Sequence, residues 1–342
     1  MTAAQLRAIV RERAGDRRAI VVSVVIVAIL AAAAATPQLL GPKMAKALDD
    51  VGGADPIWLW VAGAAFVVSL ACTGLAWRSA LVRLGAQTSP VDAAARYGVG
   101  SLVNSFAPAR IGDAVRIALF SQTLERSQRV WTTGGVFAAI GAARALALGV
   151  MVIVAAATTD ASWWPLAFFG SAAIGAIVLS LLVRRRHLPA RLAPLLDAFR
   201  LFGRDPRAAL AVAGWIFTAT AGRLGAAAAV MAAYRLPHPA LSAVLIVAAL
   251  DLAGLVPLTP GNWGVTSSAI VVALNARGID VTDALTVGIA FHALETVVSV
   301  AFGGLSALVL TPIPVRVRRW ALLGAAGACA LSVVAVIVPD LV

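Results

Sequence analysis

The chain has 342 residues, 61% of them hydrophobic and only 13% charged, with a net charge of +12. An apolar share this far above the roughly 45–50% of soluble domains excludes an ordinary globular protein, and the lack of alternating strands of about ten residues excludes a membrane β-barrel. The positive charge lies between hydrophobic runs rather than in one patch, which argues for membrane topology and against nucleic acid.

Taken in chain order, residues 1–18 predict a cytoplasmic amphipathic segment, with Leu6, Ile9 and Val10 set against Arg7, Arg11 and Arg13. Such a stretch lies on the membrane surface, and no small-residue cleavage motif marks it as a signal peptide. Residues 19–342 read as one integral membrane domain. Within it, spans are predicted at 19–40, 57–77, 131–157, 163–183, 208–234, 284–310 and 320–338. Each approaches the roughly 20 apolar residues needed to cross a bilayer. Trp58, Trp60, Trp163, Trp164 and Trp320 fall at span ends, where interfacial aromatics belong.

Two regions resist that pattern. Residues 92–122 are interrupted at Ala107-Pro108, and residues 240–276 at Pro257-Leu258-Thr259-Pro260-Gly261. Proline removes a donor and ends helices, and the flanking pieces are too short to cross, so both regions read as re-entrant hairpins. The expected class is therefore all-α: a polytopic helical membrane protein with about seven spans and two re-entrant hairpins. With the N-terminus cytoplasmic, the inner segments carry 22 Lys/Arg and the outer ones four, as positive-inside requires. The hairpins then enter from opposite sides, and each precedes a span with an ionisable centre: Arg144 after the first, Glu295 after the second. That is the layout of an inverted repeat.

Ionised groups at mid-membrane cost at least about 2.5–3.5 kcal/mol and mark substrate paths or buried pairs. Arg144, Arg223 and Glu295 are such groups, with Asp251 in a half-helix and His292 one turn before Glu295. Arg144 and Glu295 are expected to pair across the repeat. Arg223 is left with Asp251 or an anionic ligand, and a His292/Glu295 proton relay is an alternative to an interior histidine. In the first hairpin, Asn104, Arg110, Asp113 and Arg116 surround the break; guanidinium groups there suit bidentate phosphate contact, whereas a structural reading makes them topological charges. Asn262 sits at the second break. Asp49-Asp50 would serve a glycosyltransferase, although solvated loop charges explain them more simply. Cys72 and Cys329 lie within predicted spans, as buried small side chains do. No phosphate-binding loop, metallohydrolase motif or paired CxxC is present, so no metal or cofactor is expected.

The run Asn104…Pro108-x-Arg110-x-Gly112-Asp113-x-x-Arg116, followed by Pro257…Pro260-Gly261-x-x-Gly264 and Gly278, resembles the lysylphosphatidylglycerol synthase transmembrane region family over roughly residues 20–310. The resemblance implies a multi-pass protein of the bacterial inner membrane with re-entrant helices. In the best understood members it implies movement of aminoacylated phosphatidylglycerol between leaflets. It implies phosphate-facing roles for Arg110, Asp113 and Arg116, and an arginine at Arg144. Ala143 stands where the family has glutamate, and His292 where an arginine is frequent. The soluble aminoacyl-transferase domain of the larger members is expected to be absent, which makes a transporter the expected reading rather than an enzyme. The expected partner is membrane lipid, with an envelope enzyme encoded elsewhere as a further one. The rival functions are a polyprenyl-phosphate-sugar glycosyltransferase and a proton-coupled small-solute transporter.

Overall fold

The computed structural model describes residues 53–107, 111–125, 129–157, 199–200, 202–253 and 263–311. Among them there is no strand. The principal helices are α1 (Pro56–Arg83), α2 (Pro90–Phe106), α3 (Ile111–Ser121), α4 (Arg129–Ala157), α5 (Pro206–Ala233), α6 (Pro239–Ala253), α7 (Trp263–Asn275) and α8 (Val281–Leu310).

Of these, α1, α4, α5 and α8 are long and apolar enough to cross a membrane. They contain the expected spans 57–77, 131–157 and 284–310, and α5 covers the expected span 208–234 up to Ala233. The expected spans 19–40, 163–183 and 320–338, the amphipathic segment, Asp49-Asp50 and Cys329 lie outside the described residues. Helix α1 continues past its expected end to Arg83 because Trp77, Ala80 and Leu81 are buried in the core and hold its last turns. Cys72 is buried, as expected.

Helix starts follow local capping chemistry. The Asp55 carboxylate accepts from the Ile57 N–H (3.0 Å) ahead of Pro56, and Asp205 accepts from Arg207 and Ala208 (3.0 and 3.1 Å) ahead of Pro206. Such caps satisfy otherwise orphaned donors, at about 1 kcal/mol each, and proline costs nothing at the first helical position. The ends of α1 and α5 also match. Gly85 (φ 94°) and Arg235 (φ 53°) both adopt the left-handed conformation. Beyond them, the Ala86 N–H reaches the Leu81 carbonyl (3.0 Å) and the Leu236 N–H the Met231 carbonyl (3.1 Å), the reversal that closes a helix C-terminus.

The same correspondence runs through the chain. Helices α1 to α4 have 28, 17, 11 and 29 residues, and α5 to α8 have 28, 15, 13 and 30. Helix α1 packs chiefly along α5. The two are antiparallel: the Asp55 N–H donates to the Ala233 carbonyl (2.9 Å) at one end, and Arg83 pairs with Asp205 (3.1 Å) at the other. Partners are then exchanged between the halves, with α2 packed on α8 and α6 on α4.

The core near the Arg83–Asp205 end holds the first hairpin. Trp77 of α1 stacks on Phe120 of α3 with centroids 4.7 Å apart. Ala93 and Tyr97 of α2, Val136 and Ile140 of α4, and Val212 and Ile216 of α5 complete the cluster. On the outside, Phe217, Leu210 and Leu146 are 75%, 72% and 67% exposed. An apolar surface of this kind suits acyl chains rather than water.

Candidate functional site

Helices α2 and α3 form a tight antiparallel hairpin. At its base the Gln87 N–H donates to the Thr123 carbonyl (3.2 Å), and the Arg96 guanidinium reaches the Leu119 carbonyl. Further in, the helices meet at Gly100 and Gly112. A Cβ on Gly100 would collide with the Arg116 side chain, and one on Gly112 with the Gly100 carbonyl and Asn104. Only glycine permits this approach, and the approach brings Arg116 across to α2.

Arg116 is 8% exposed. Its guanidinium lies 4.1 Å from the Tyr97 ring centroid, pairs with Asp113 one turn earlier, and donates to the Ser101 hydroxyl (2.8 Å). Asn104 donates to the same Asp113 carboxylate (3.0 Å). A cation over an aromatic face is worth about 0.5–2 kcal/mol, more when dry. The hairpin therefore holds Arg116 in place internally. Its buried Nε and the buried Asn104 Oδ1 make no hydrogen bond among the described residues.

Tyr97 links this network to the other half. Thr73 of α1 lies beside its hydroxyl, and the charges of Arg116 and of Arg144 on α4 both bear on it. Arg223 of α5 is also within electrostatic reach of Tyr97. Arg223 forms an ion pair with Asp251 of α6. Glu295 of α8 is close enough to feel both Arg223 and Asp251, and His292 Nδ1 stands 3.7 Å from its Oε2. Two polar groups thus lie within the helical bundle, one in the α2–α3 hairpin around Arg116 and one shared by α5, α6 and α8 around Arg223, and the charges of Arg144 and Arg223 both bear on Tyr97.

Asn104, Asp113 and Arg116 are brought together in the first hairpin, and Arg223, Asp251, His292 and Glu295 in a second group. Arg110 and Asn262 lie outside the described residues. The expected pair of Arg144 with Glu295 is not formed. Instead, Asp251 near the end of α6 takes Arg223, and Glu295 stands beside His292 on α8. Tyr97, Ser101 and Thr73 were not anticipated. The signal was present, since Tyr97, Ser101 and Asn104 recur at i, i+4 and i+7 and so share one face of α2. Among the described residues no three His, Cys, Asp or Glu side chains gather as metal ligands.

A family model described as the lysylphosphatidylglycerol synthase TM region matches residues 20–303. No curated protein and no solved structure matches the chain.

Proposed function

The chain belongs to the lysylphosphatidylglycerol synthase transmembrane region family, and from that premise we propose that it binds an anionic or aminoacylated phospholipid and moves it between leaflets. It is a multi-pass membrane protein. The observation that carries the reading is Arg116 buried against the Tyr97 ring, with the charges of Arg144 and Arg223 on two further helices also bearing on Tyr97. Buried arginines are costly in a membrane unless matched, and guanidinium suits a phosphate diester. Arg116 and Arg223 already hold carboxylates, which leaves Arg144 as the first contact for a headgroup phosphate. The hairpins α2–α3 and α6–α7 act as re-entrant elements from opposite faces of an inverted repeat, in a seven-span protein of the cytoplasmic membrane with its N-terminus inside.

The test is reconstitution. Purified protein in phosphatidylcholine vesicles carries trace fluorescent phosphatidylglycerol, aminoacyl-phosphatidylglycerol or phosphatidylethanolamine, and an impermeant quencher reads the outer leaflet. An anionic or aminoacylated probe should cross faster than in protein-free vesicles, and Arg144→Ala should slow it about tenfold, the loss of roughly one charge-assisted hydrogen bond. If no labelled phospholipid moves faster than without protein, the reading falls.

A further inference from the structure

The second polar group has an uneven charge count. Arg223 is one cation, paired with Asp251 and within reach of Glu295. Among the described residues this group holds one guanidinium for two carboxylates, an excess of one negative charge, with the Asp251 and Glu295 side chains 30% and 34% exposed. His292 stands one helical turn before Glu295, buried, with Nδ1 3.7 Å from the carboxylate. A single proton on this pair restores neutrality. It can sit on the imidazole as a cation beside Glu295, or on the Glu295 carboxyl itself. The geometry points to one exchangeable proton, shared by His292 and Glu295, as the coupling ion of the transport cycle.

The surroundings support a single titrating unit. Arg223 comes from α5 and Asp251 from α6, the charge of Tyr97 of α2 bears on Arg223, and that of Arg144 of α4 bears on Tyr97. Helix α7 has no titratable side chain in its sequence. Helix α1 contributes Cys72, and its arginines, Arg78 and Arg83, lie near its far end, since Gly63 and Phe66 are the residues that meet α8 at this level. The group is shared by α5, α6 and α8, so gain or loss of the proton changes the attraction between α8 and the α5–α6 pair. Protonated, the cluster is neutral and α8 is held by a balanced set of charges. Deprotonated, it carries an excess negative charge that favours parting or the entry of a cation. The proton is taken from water on one side and released to water on the other, and no other reactant is needed.

This inference rests on the transport reading, and two measurements on the same phosphatidylcholine–phosphatidylglycerol proteoliposomes separate the two. The first is infrared-detected proton uptake as the pH is scanned from about 8 down to about 5. Wild type should take up one proton that Glu295→Gln does not, and His292→Gln should displace the transition; a thermal melt of each variant confirms folding, and either variant suffices. The second is the steady-state leaflet ratio of labelled phosphatidylglycerol under a one-unit pH gradient. One coupled proton shifts that ratio by up to about tenfold, and both variants should abolish the shift. Uptake without any lipid movement keeps the proton site and overturns the transport reading. Lipid movement without the uptake step overturns the proton site and leaves transport standing. Uptake with a leaflet ratio blind to the pH gradient, or driven equally by a sodium gradient at fixed pH, overturns the coupling.

Discussion

Arg116 makes three different contacts, and each asks something of the guanidinium that an ammonium cannot supply. Its flat face covers Tyr97, one nitrogen pairs with Asp113, and another reaches Ser101. Arg116→Lys keeps the charge, so membrane topology should be unchanged. It should nevertheless lose about 2 kcal/mol of unfolding free energy, from the stacking and one charge-assisted hydrogen bond, and slow lipid movement with it. Full stability and activity in Arg116→Lys would return this residue to the role of a topological charge. Arg223 and Asp251 call for an asymmetric result. Removing one partner of this partly buried pair should cost less than the about 3–5 kcal/mol of a fully buried one, and Asp251→Ala leaves Arg223 with Glu295, whereas Arg223→Ala leaves two carboxylates near each other. Arg223→Ala should therefore be the more damaging in detergent unfolding, and the double variant milder than Arg223→Ala alone. The sequence marked Arg223, Asp251 and Glu295 as costly groups because each lies in an apolar run. It did not reveal who pairs with whom, since a helical span fixes the depth of a side chain but not the direction it faces.

The hairpin α2–α3 was legible from Pro108 and from the shortness of its arms. The glycines that let the arms touch were not, because glycine is common in membrane helices for several reasons. A graded test follows. Gly100→Ala sets a methyl group against Arg116 and the Gly112 carbonyl, and overpacking of this kind costs about 1–3 kcal/mol. Gly141→Ala, on an open face of α4 with nothing near it, should be neutral or gain up to about 1 kcal/mol of helix propensity. Thermal melts of the two variants should differ in sign; equal melts would mean the hairpin is looser than described. Asp205 has two jobs, capping α5 and pairing with Arg83 of α1. Asp205→Asn keeps a capping acceptor but loses the ion pair, which is half-exposed and weak. It should therefore melt within about 0.5 kcal/mol of wild type, while Asp205→Ala should lose the cap, about 1 kcal/mol.

For the whole molecule, the charge split of the sequence and the antiparallel α1–α5 pair point to the same arrangement: the α1 end and the α5 start share one side of the membrane. In a chain lacking Cys72 and Cys329, single cysteines replacing His187, His238 and Asp340 should be labelled from inside, outside and outside, respectively. Labelling of the 238 position from the cytoplasm would sink the topology. What the sequence could not convey is that the two halves exchange partners, because equal spacing identifies a repeat without saying how its copies embrace. That exchange has a consequence in time. Helix α2 finds its seat on α8, and α6 finds its seat on α4, so neither half is a finished object by itself. A ribosome adds about 5–20 residues per second, and some two hundred residues separate α2 from the end of α8. The first hairpin must therefore wait about 10–40 s after synthesis for its neighbour. During that interval the newborn chain displays the glycine face at Gly98 that Phe302 and Ser306 will later cover, and whatever insertion machinery holds it must stand in for a helix that does not yet exist.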